Sequence, residues 1–299
     1  MNFFMSLLIS GISVGALYAL VALGIVIVYK ASSVVNFSQV SFLMLGTYVV
    51  ASAYTTYDLP FWAALLLGAV FTVLLGLVVE RLLIRRFTRT NSVVAASIMT
   101  IGLDTAIATE VQRRIGASIL PPGDPWGDSL VTVAGITVPQ VRVVALVLSL
   151  LFLGLFQLWL QRSDFGIAMR ATAERPDTAA LMGIRLSWVA ATAWGLAGLL
   201  AVLAGVFLVA FPSPGLDGGV THLALRALPA AIIGGLRATS GAIVGGVIVG
   251  VTESMVLGYH DQLSFLGQGL ETVAPYVVML LVLLWRPNGL FGAKELSRV

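Results

Sequence analysis

The chain has 299 residues, 59% of them hydrophobic and only 10% charged, with a formal net charge of +3. Ordinary globular proteins carry about 45–50% apolar and about 25% charged residues. So few charges cannot cover a soluble domain of this length, which excludes a soluble enzyme, a disordered chain and a nucleic-acid-binding module. The 17 Lys and Arg residues are spread along the chain without forming a basic patch. The absence of cysteine removes disulfides and thiolate metal sites.

A membrane-crossing helix needs about 20 mostly apolar residues. Cutting the sequence at its charges predicts spans near 4–29, 36–57, 59–79, 90–111, 143–161, 187–211, 223–236, 238–258 and 272–285. Residues 1–29 hold no charge, so the opening segment reads as a first span rather than a cleavable signal. The seventh segment is short and contains Arg226, the mark of a half-helix or re-entrant piece. The expected fold is therefore an all-α integral membrane protein, a polytopic bundle of about eight to ten transmembrane helices forming a single transmembrane domain over residues 1–299.

Charge placement orients this bundle. Arg81, Arg85, Arg86 and Arg89 follow the third span, Arg162, Arg170, Arg175 and Arg185 follow the fifth, and Arg286, Lys294 and Arg298 end the chain. Loops on the opposite side carry Asp58, Asp124, Asp128, Asp217, Asp261 and Glu271, with Arg113, Arg114 and Arg142. The positive-inside rule puts the first group in the cytoplasm, and an odd number of crossings then leaves the amino terminus outside.

Two loops are more than connectors. Residues 112–142, rich in Pro, Gly and β-branched residues, predict an external cap or short hairpin. Residues 162–186 hold seven charges together with Ile167, Met169, Ala179, Ala180, Leu181 and Met182. Pro176 is placed to open a short helix and Gly183 to end one. The pattern predicts two short amphipathic helices at the cytoplasmic face, a docking surface for a partner.

Within the spans, Gly11 and Gly15, Gly241 and Gly245, and Gly246 and Gly250 each stand four apart. Such faces let lipid-embedded helices approach closely. Gly11–Gly15 also fits G-x-S-x-G, but that motif needs a strand–turn–helix setting and a histidine base. Inside an apolar helix it reads as packing. With no P-loop and only two lysines, Lys30 and Lys294, the chain has no nucleotide site of its own, and no metal-ligand spacing is present. Asp104, Glu110, Arg226 and Glu253 fall inside spans, where ionisable groups are expensive unless paired. Arg226 is a plausible partner for Asp104 or Glu253. Asn36, Ser38, Gln39 and Ser41 form a polar cluster opening the second span. Either set could line a solute path or merely join helices. Trp62, Trp126, Trp188 and Trp285 stand near span ends, as belt anchors do.

Several stretches resemble the branched-chain amino acid ABC importer permeases of the LivH type. These are Gly15 to Gly24, Val35-Asn36-Phe37-Ser38, Met44 to Tyr48, Gly166 to Ala171, Ala179 to Ile184, Gly234-Gly235-Leu236, Gly241 to Gly246 with Glu253, and Arg286 to Gly292. The resemblance implies a permease subunit of the bacterial inner membrane. It implies a second, LivM-type permease, two cytoplasmic ATPases binding ATP and Mg, and an extracytoplasmic solute-binding protein, with no cofactor on this chain. Gly166, Arg170, Ala171, Glu174, Asp177, Ala180 and Gly183 would form the coupling segment. Asn36, Ser38, Gln39, Asp104, Arg226 and Glu253 would line the path of a branched-chain amino acid or a related solute such as urea or an amide. Where the family usually shows His-Gly-Glu, this chain has Gln39-Val40-Ser41 and lacks the carboxylate. The rival expectation is a self-contained proton-coupled carrier or channel.

Overall fold

Nothing but a helix or a closed barrel satisfies the backbone of a chain crossing lipid, and the apolar segments fold accordingly. A computed structural model of the protein describes residues 2–88, 92–116, 118–123, 125, 127, 129–133, 136–210, 215–217, 219–263 and 269–292. Helix α1 (Asn2–Ser32) is 31 residues long, about 46 Å at 1.5 Å per residue. From Gly15 to Val28 it is buried on every side, as a helix apolar all round should be. It is the post against which α6, α9, α11 and α12 pack.

In chain order there follow α2 (Gln39–Thr56) and α3 (Phe61–Val79). The latter continues through a π-helical turn (Glu80–Ile84) into α4 (Arg85–Thr88). Then come α5 (Val93–Ile115), an antiparallel hairpin of β1 (Leu130–Val133) and β2 (Ile136–Pro139), and α6 (Gln140–Arg162). The short helices α7 (Asp164–Glu174) and α8 (Pro176–Leu181) precede α9 (Leu186–Leu208). The last part comprises α10 (Val220–Leu225), α11 (Ala227–Gly234), α12 (Thr239–Gly258), α13 (His260–Leu263) and α14 (Leu270–Trp285). Among the described residues, six helices are long and apolar enough to cross a membrane, and α14 is a shorter apolar helix. The protein is a multi-pass α-helical membrane protein.

Helix directions follow from residue-level packing. Gly11 and Gly15 of α1 meet Gly250 and Gly246 of α12, so the two run antiparallel. Gly68, Gly76 and Thr72 of α3 meet Val202, Trp194 and Gly198 of α9 in the same opposed sense, whereas Gln39, Gly46 and Thr47 of α2 ascend with Ala197, Val202 and Gly205 of α9. Thus α1, α3, α6, the α10–α11 pair and α14 run one way, and α2, α5, α9 and α12 the other. At the end where α1 finishes lie Lys30, Arg81, Arg85, Arg86, Arg162, Arg170, Arg175, Arg185, Arg237 and Arg286.

The seams are made of small residues. A Cβ on Gly15 would lie 2.8 Å from the Gly246 carbonyl oxygen and the Val247 Cα, and one on Gly11 2.7 Å from the Val251 Cα. Gly241 and Gly245 turn to the other side of α12, against Gly234 and Ala230 of α11. Apolar side chains gain little by leaving lipid for another apolar surface, so close backbone approach is what binds such helices.

Several boundaries differ from those expected. The second span begins at Gln39 rather than 36, because residues 34–36 are irregular and 37–38 form a turn. The third runs on to Thr88, since Glu80 and Arg85 pair within it. The fourth occupies 93–115, its last turns bearing Glu110 held by Arg113 (2.9 Å) and Arg114 (2.6 Å). The loop expected at 112–142 therefore shrinks at both ends, and a hairpin lies within it. The seventh span is broken at Arg226 into α10 and α11. Arg89, Trp126, Asp124, Asp128, Lys294 and Arg298 lie outside the described residues.

Candidate translocation and coupling sites

The first irregularity is the break between α1 and α2. Ser33 takes a positive φ of 58°, and the chain turns back into the bundle through irregular residues 34–36 and a turn at 37–38 until Gln39 touches Gly24, about two helical turns before the end of α1. Non-helical backbone at that depth needs partners that a helix would have supplied internally. One stripe of α5 provides them. The Ser97 Oγ accepts from the Val35 N–H (3.2 Å), the Thr100 Oγ1 from Phe37 (3.1 Å) and the Asp104 carboxylate from Ser41 (3.1 Å). Ser38 Oγ donates to Asn36 Oδ1 (2.7 Å), Asn36 Nδ2 to Gln39 Oε1 (3.1 Å), and Gln39 Nε2 to the Ala197 carbonyl of α9 (3.0 Å). Asn36, Ser38, Gln39 and Ser41 are all wholly buried. The network joins α2, α5 and α9 at a point where the main chain is not helical.

The second irregularity is the break between α10 and α11. Arg226 stands in it and pairs through Nη1 with Glu253 Oε1 of α12, while its Nη2 donates to Thr272 Oγ1 of α14 (3.2 Å). The Tyr18 hydroxyl of α1 donates to Glu253 Oε2 at 2.7 Å. The side chains of Arg226 and Glu253 are 13% and 12% exposed, and Tyr18 is fully buried. Tyr18 and Glu253 lie beyond the contact of Gly15 with Gly250 in opposite directions along this antiparallel pair. They meet because helical side chains lean toward the N-terminus of their own helix, which here brings the two tips back to each other across the seam. Arg226 Nε and Glu271 Oε2 are buried without a hydrogen-bond partner among the described residues. A donor and an acceptor remain unused in a desolvated cluster of opposite charges. Asp104 belongs to the first break and Arg226 and Glu253 to the second; of the two acids weighed for Arg226, it is Glu253 that pairs with it.

The third feature is the 162–186 segment at the arginine-rich end. Ser163 caps α7, its Oγ accepting from the Gly166 N–H at 3.1 Å, the usual service of a serine N-cap. Phe165, Met169 and Thr172 form the buried side of α7, and a Cβ on Gly166 would run into the Leu160 carbonyl oxygen. Arg170 reaches back to cap α6, Nη1 donating to Leu160 O (3.0 Å) and Nη2 to Gln161 O (3.4 Å). Ala171 is half-buried, and Glu174 and Asp177 face out. Pro176 opens α8. Gly183, at φ 86°, closes it in a conformation that side chains disfavour, with Ile184 N–H bonded to Ala179 O at 3.0 Å. Ala179 is buried, but Ala180 and Gly183 are exposed, and Leu181 and Met182 are 88% and 80% exposed. Two long apolar side chains thus stand clear of the bundle among charges.

Residues 7–284 match the family described as branched-chain amino acid transport system, permease component. The chain belongs to that family. This permease is 28% identical over 306 residues to the high-affinity branched-chain amino acid transport system permease protein BraD of Pseudomonas aeruginosa, covering 98% of this chain and 97% of that protein. It is 30% identical over 298 residues to the probable branched-chain amino acid transport permease protein LivH of Methanocaldococcus jannaschii, covering 95% and 91%. A solved structure, PsaBC from Streptococcus pneumoniae in complex with Fab, is similar at a TM-score of 0.49 and 16% identity, covering 95% of this chain and 91% of that one.

The permease holds site residues that periodicity and charge did not single out. Tyr18 carries no signal within an apolar run, because its bond to Glu253 depends on which helix packs against α1 and in which direction. Ser97 and Thr100 read as ordinary small residues of a span, although their i, i+3, i+7 spacing with Asp104 was legible. Glu80 carried a signal, being the sole acid in the basic stretch that follows the third span. It is 2% exposed and forks Arg85 at 3.1 and 2.6 Å. The π-helical turn brings this i, i+5 pair together. Arg85 also donates to the Ser187 carbonyl at the start of α9 (3.4 Å), so the pair ties the foot of α3 to the exit of the 162–186 segment.

Proposed function

We propose that this permease is one membrane subunit of an ABC importer in the bacterial cytoplasmic (inner) membrane, with its arginine-rich, carboxyl-terminal end in the cytoplasm. It works beside a second, LivM-type permease, two cytoplasmic ATPases that hold ATP and Mg, and an extracytoplasmic solute-binding protein. The solute is a branched-chain amino acid, as the relatives' names suggest, or a related small polar molecule such as urea or an amide.

The observation that carries this reading is the α7–α8 platform. Leu181 and Met182 stand out at the end richest in arginine, and the cost of exposing them is relieved when a groove on an ATPase covers them. Behind this tip, Arg170 fixes α7 to α6 and the Glu80–Arg85 fork fixes α3 to α9. Gly166, Ala171, Glu174, Asp177, Ala180 and Gly183 shape the docking side. A push on α8 is therefore delivered to the bundle as a rigid movement of helix ends rather than absorbed in a loop. Both backbone breaks then offer what a solute path needs: polar groups at lipid depth where the main chain is irregular. Asp104 sets a carboxylate against Ser41, near where the family's usual acid is missing. Asn36, Ser38 and Gln39 on one side and Arg226 and Glu253 on the other are the remaining contacts assigned to the path. A proton-coupled carrier would draw on Asp104 and Glu253; it is less favoured, because Glu253 is held by Arg226 and Asp104 accepts from the Ser41 N–H at the α1–α2 break.

The test is purification of the full-length chain from its own host in mild detergent, with mass spectrometry of the proteins that accompany it. P-loop ATPases and a second permease are expected with the wild type. Ala180→Glu, which spoils the docking side without touching the bundle, should lose the ATPases while keeping the second permease and normal insertion. Recovery of the wild-type chain alone, under conditions that hold other ABC complexes together, would overturn the proposal.

A further inference from the structure

Helices that face lipid carry apolar side chains outward, and α3 and α6 do so with Leu66, Val70 and Leu74 and with Val147, Leu151 and Leu155. Helix α5 departs from that pattern. Of the six long apolar helices among the described residues, it is both the least buried and the least apolar. Its exposed side runs through Ile98, Gly102, Thr105, Ala106, Thr109 and Arg113, at the three- and four-residue steps of one helix face. The Thr105 hydroxyl, donating to Ile101 O at 3.1 Å, lies on this open side, and a Cβ on Gly102 would meet nothing within 4 Å. Hydroxyls and uncovered backbone stand where lipid would call for leucine.

Such a surface gains little from acyl chains. A second helix gains more there, because small residues admit close backbone approach and threonines hydrogen-bond across the seam. Two further observations say which helix. On the inner side of α5, Ser97, Thr100 and Asp104 hold the α1–α2 break, so an occupant of the outer side stands about 10 Å, one helix diameter, from that buried polar network. At the carboxyl-terminal end of the face, Arg113 is 71% exposed even though Glu110 forks it at 2.9 Å through both Nε and Nη2. Arg114 shares the same carboxylate, so this end carries two bases on one acid. A second copy about a two-fold axis would bring Arg113 towards Arg113, whereas a carboxylate at that level balances the excess charge.

We infer that this face of α5 seats a membrane helix of the second permease, small-sided level with Gly102 to Thr109 and acidic level with Arg113. The inference rests on the two-permease reading above, for which it names the surface of contact. With that helix seated, α5 has protein on both sides and becomes the wall between the partner and the α1–α2 break. A movement of one permease against the other is then felt at the hydroxyls that hold the break.

The test uses the full-length chain purified in mild detergent from its own host. Gly102→Leu fills open space and should melt as the wild type does, yet it should lower recovery of the second permease about tenfold, as expected for about 1.4 kcal/mol lost at an overpacked seam. Gly154→Leu, the same change on the exposed side of α6 where a Cβ also meets nothing within 4 Å, should leave recovery unchanged. The chain has no cysteine, so Thr105→Cys takes a single benzophenone label, which on irradiation in native membranes should cross-link to the second permease. Undiminished recovery in Gly102→Leu would overturn the inference, as would a label captured only by lipid or by a second copy of this chain. Where the wild type recovers a second permease and Gly102→Leu keeps it, the contact surface falls and the transport reading stands. Where the wild type recovers none, the transport reading itself falls.

Discussion

Arg226 and Glu253 are each costly at their depth, and each is tolerable because the other is there. Removing one partner of such a buried pair strands the second, at about 3–5 kcal/mol. Glu253→Ala should therefore lower the detergent-unfolding midpoint severely, whereas Tyr18→Phe, which leaves the pair intact and removes one bond to a charged group, should cost less, about 1.5–3 kcal/mol. Arg226→Met combined with Glu253→Met should regain much of the stability lost by either alone, since no charge is then stranded. A Glu253→Ala chain as stable as wild type would mean that the pair does not hold the α10–α11 break in place. That a charge pair existed in the second half of the chain was legible from Arg226 and Glu253 falling inside spans. The hydroxyl that completes it was not, because a tyrosine within an apolar run carries no signal until its neighbour across the seam is known.

At the scale of elements, the permease depends on backbones that touch. Gly15 of α1 has no room for a side chain against Gly246 and Val247, while Gly154 of α6 would meet nothing within 4 Å. Gly15→Leu should cut the yield of folded protein sharply, since overpacking costs about 1–3 kcal/mol even where side chains rather than backbone must move. Gly154→Leu should behave as wild type, and size-exclusion yield after membrane extraction reads the difference. Equal yields would contradict a packed α1–α12 seam. The four-residue glycine spacings were visible in the sequence; which helix each face meets was not, because spacing on one helix says nothing about its partner. The same limit explains the α1–α2 break. A polar cluster at 36–41 could be read directly, but the non-helical backbone that leads into it is held by hydroxyls from α5, some sixty positions away.

For the molecule as a whole, hydropathy fixes the spans because lipid leaves the backbone so few choices, and charge gathers the arginines at one end. The π-helical turn escapes that reading, since Glu80 and Arg81 there read as the start of a loop, whereas the break of the seventh segment agrees with the half-helix or re-entrant piece expected from its shortness and Arg226. These departures join the parts: the Glu80–Arg85 fork beneath the coupling platform, and the two polar breaks in the bundle. On the proposed function, nucleotide energy received at α8 moves those breaks. The most direct test is uptake of labelled leucine by proteoliposomes containing this chain with its co-purified partner subunits. Uptake should require ATP inside and the solute-binding protein outside, should fall to background with Ala180→Glu, and should be indifferent to a pH gradient. Uptake by the chain alone, driven by a pH gradient and insensitive to ATP, would contradict it.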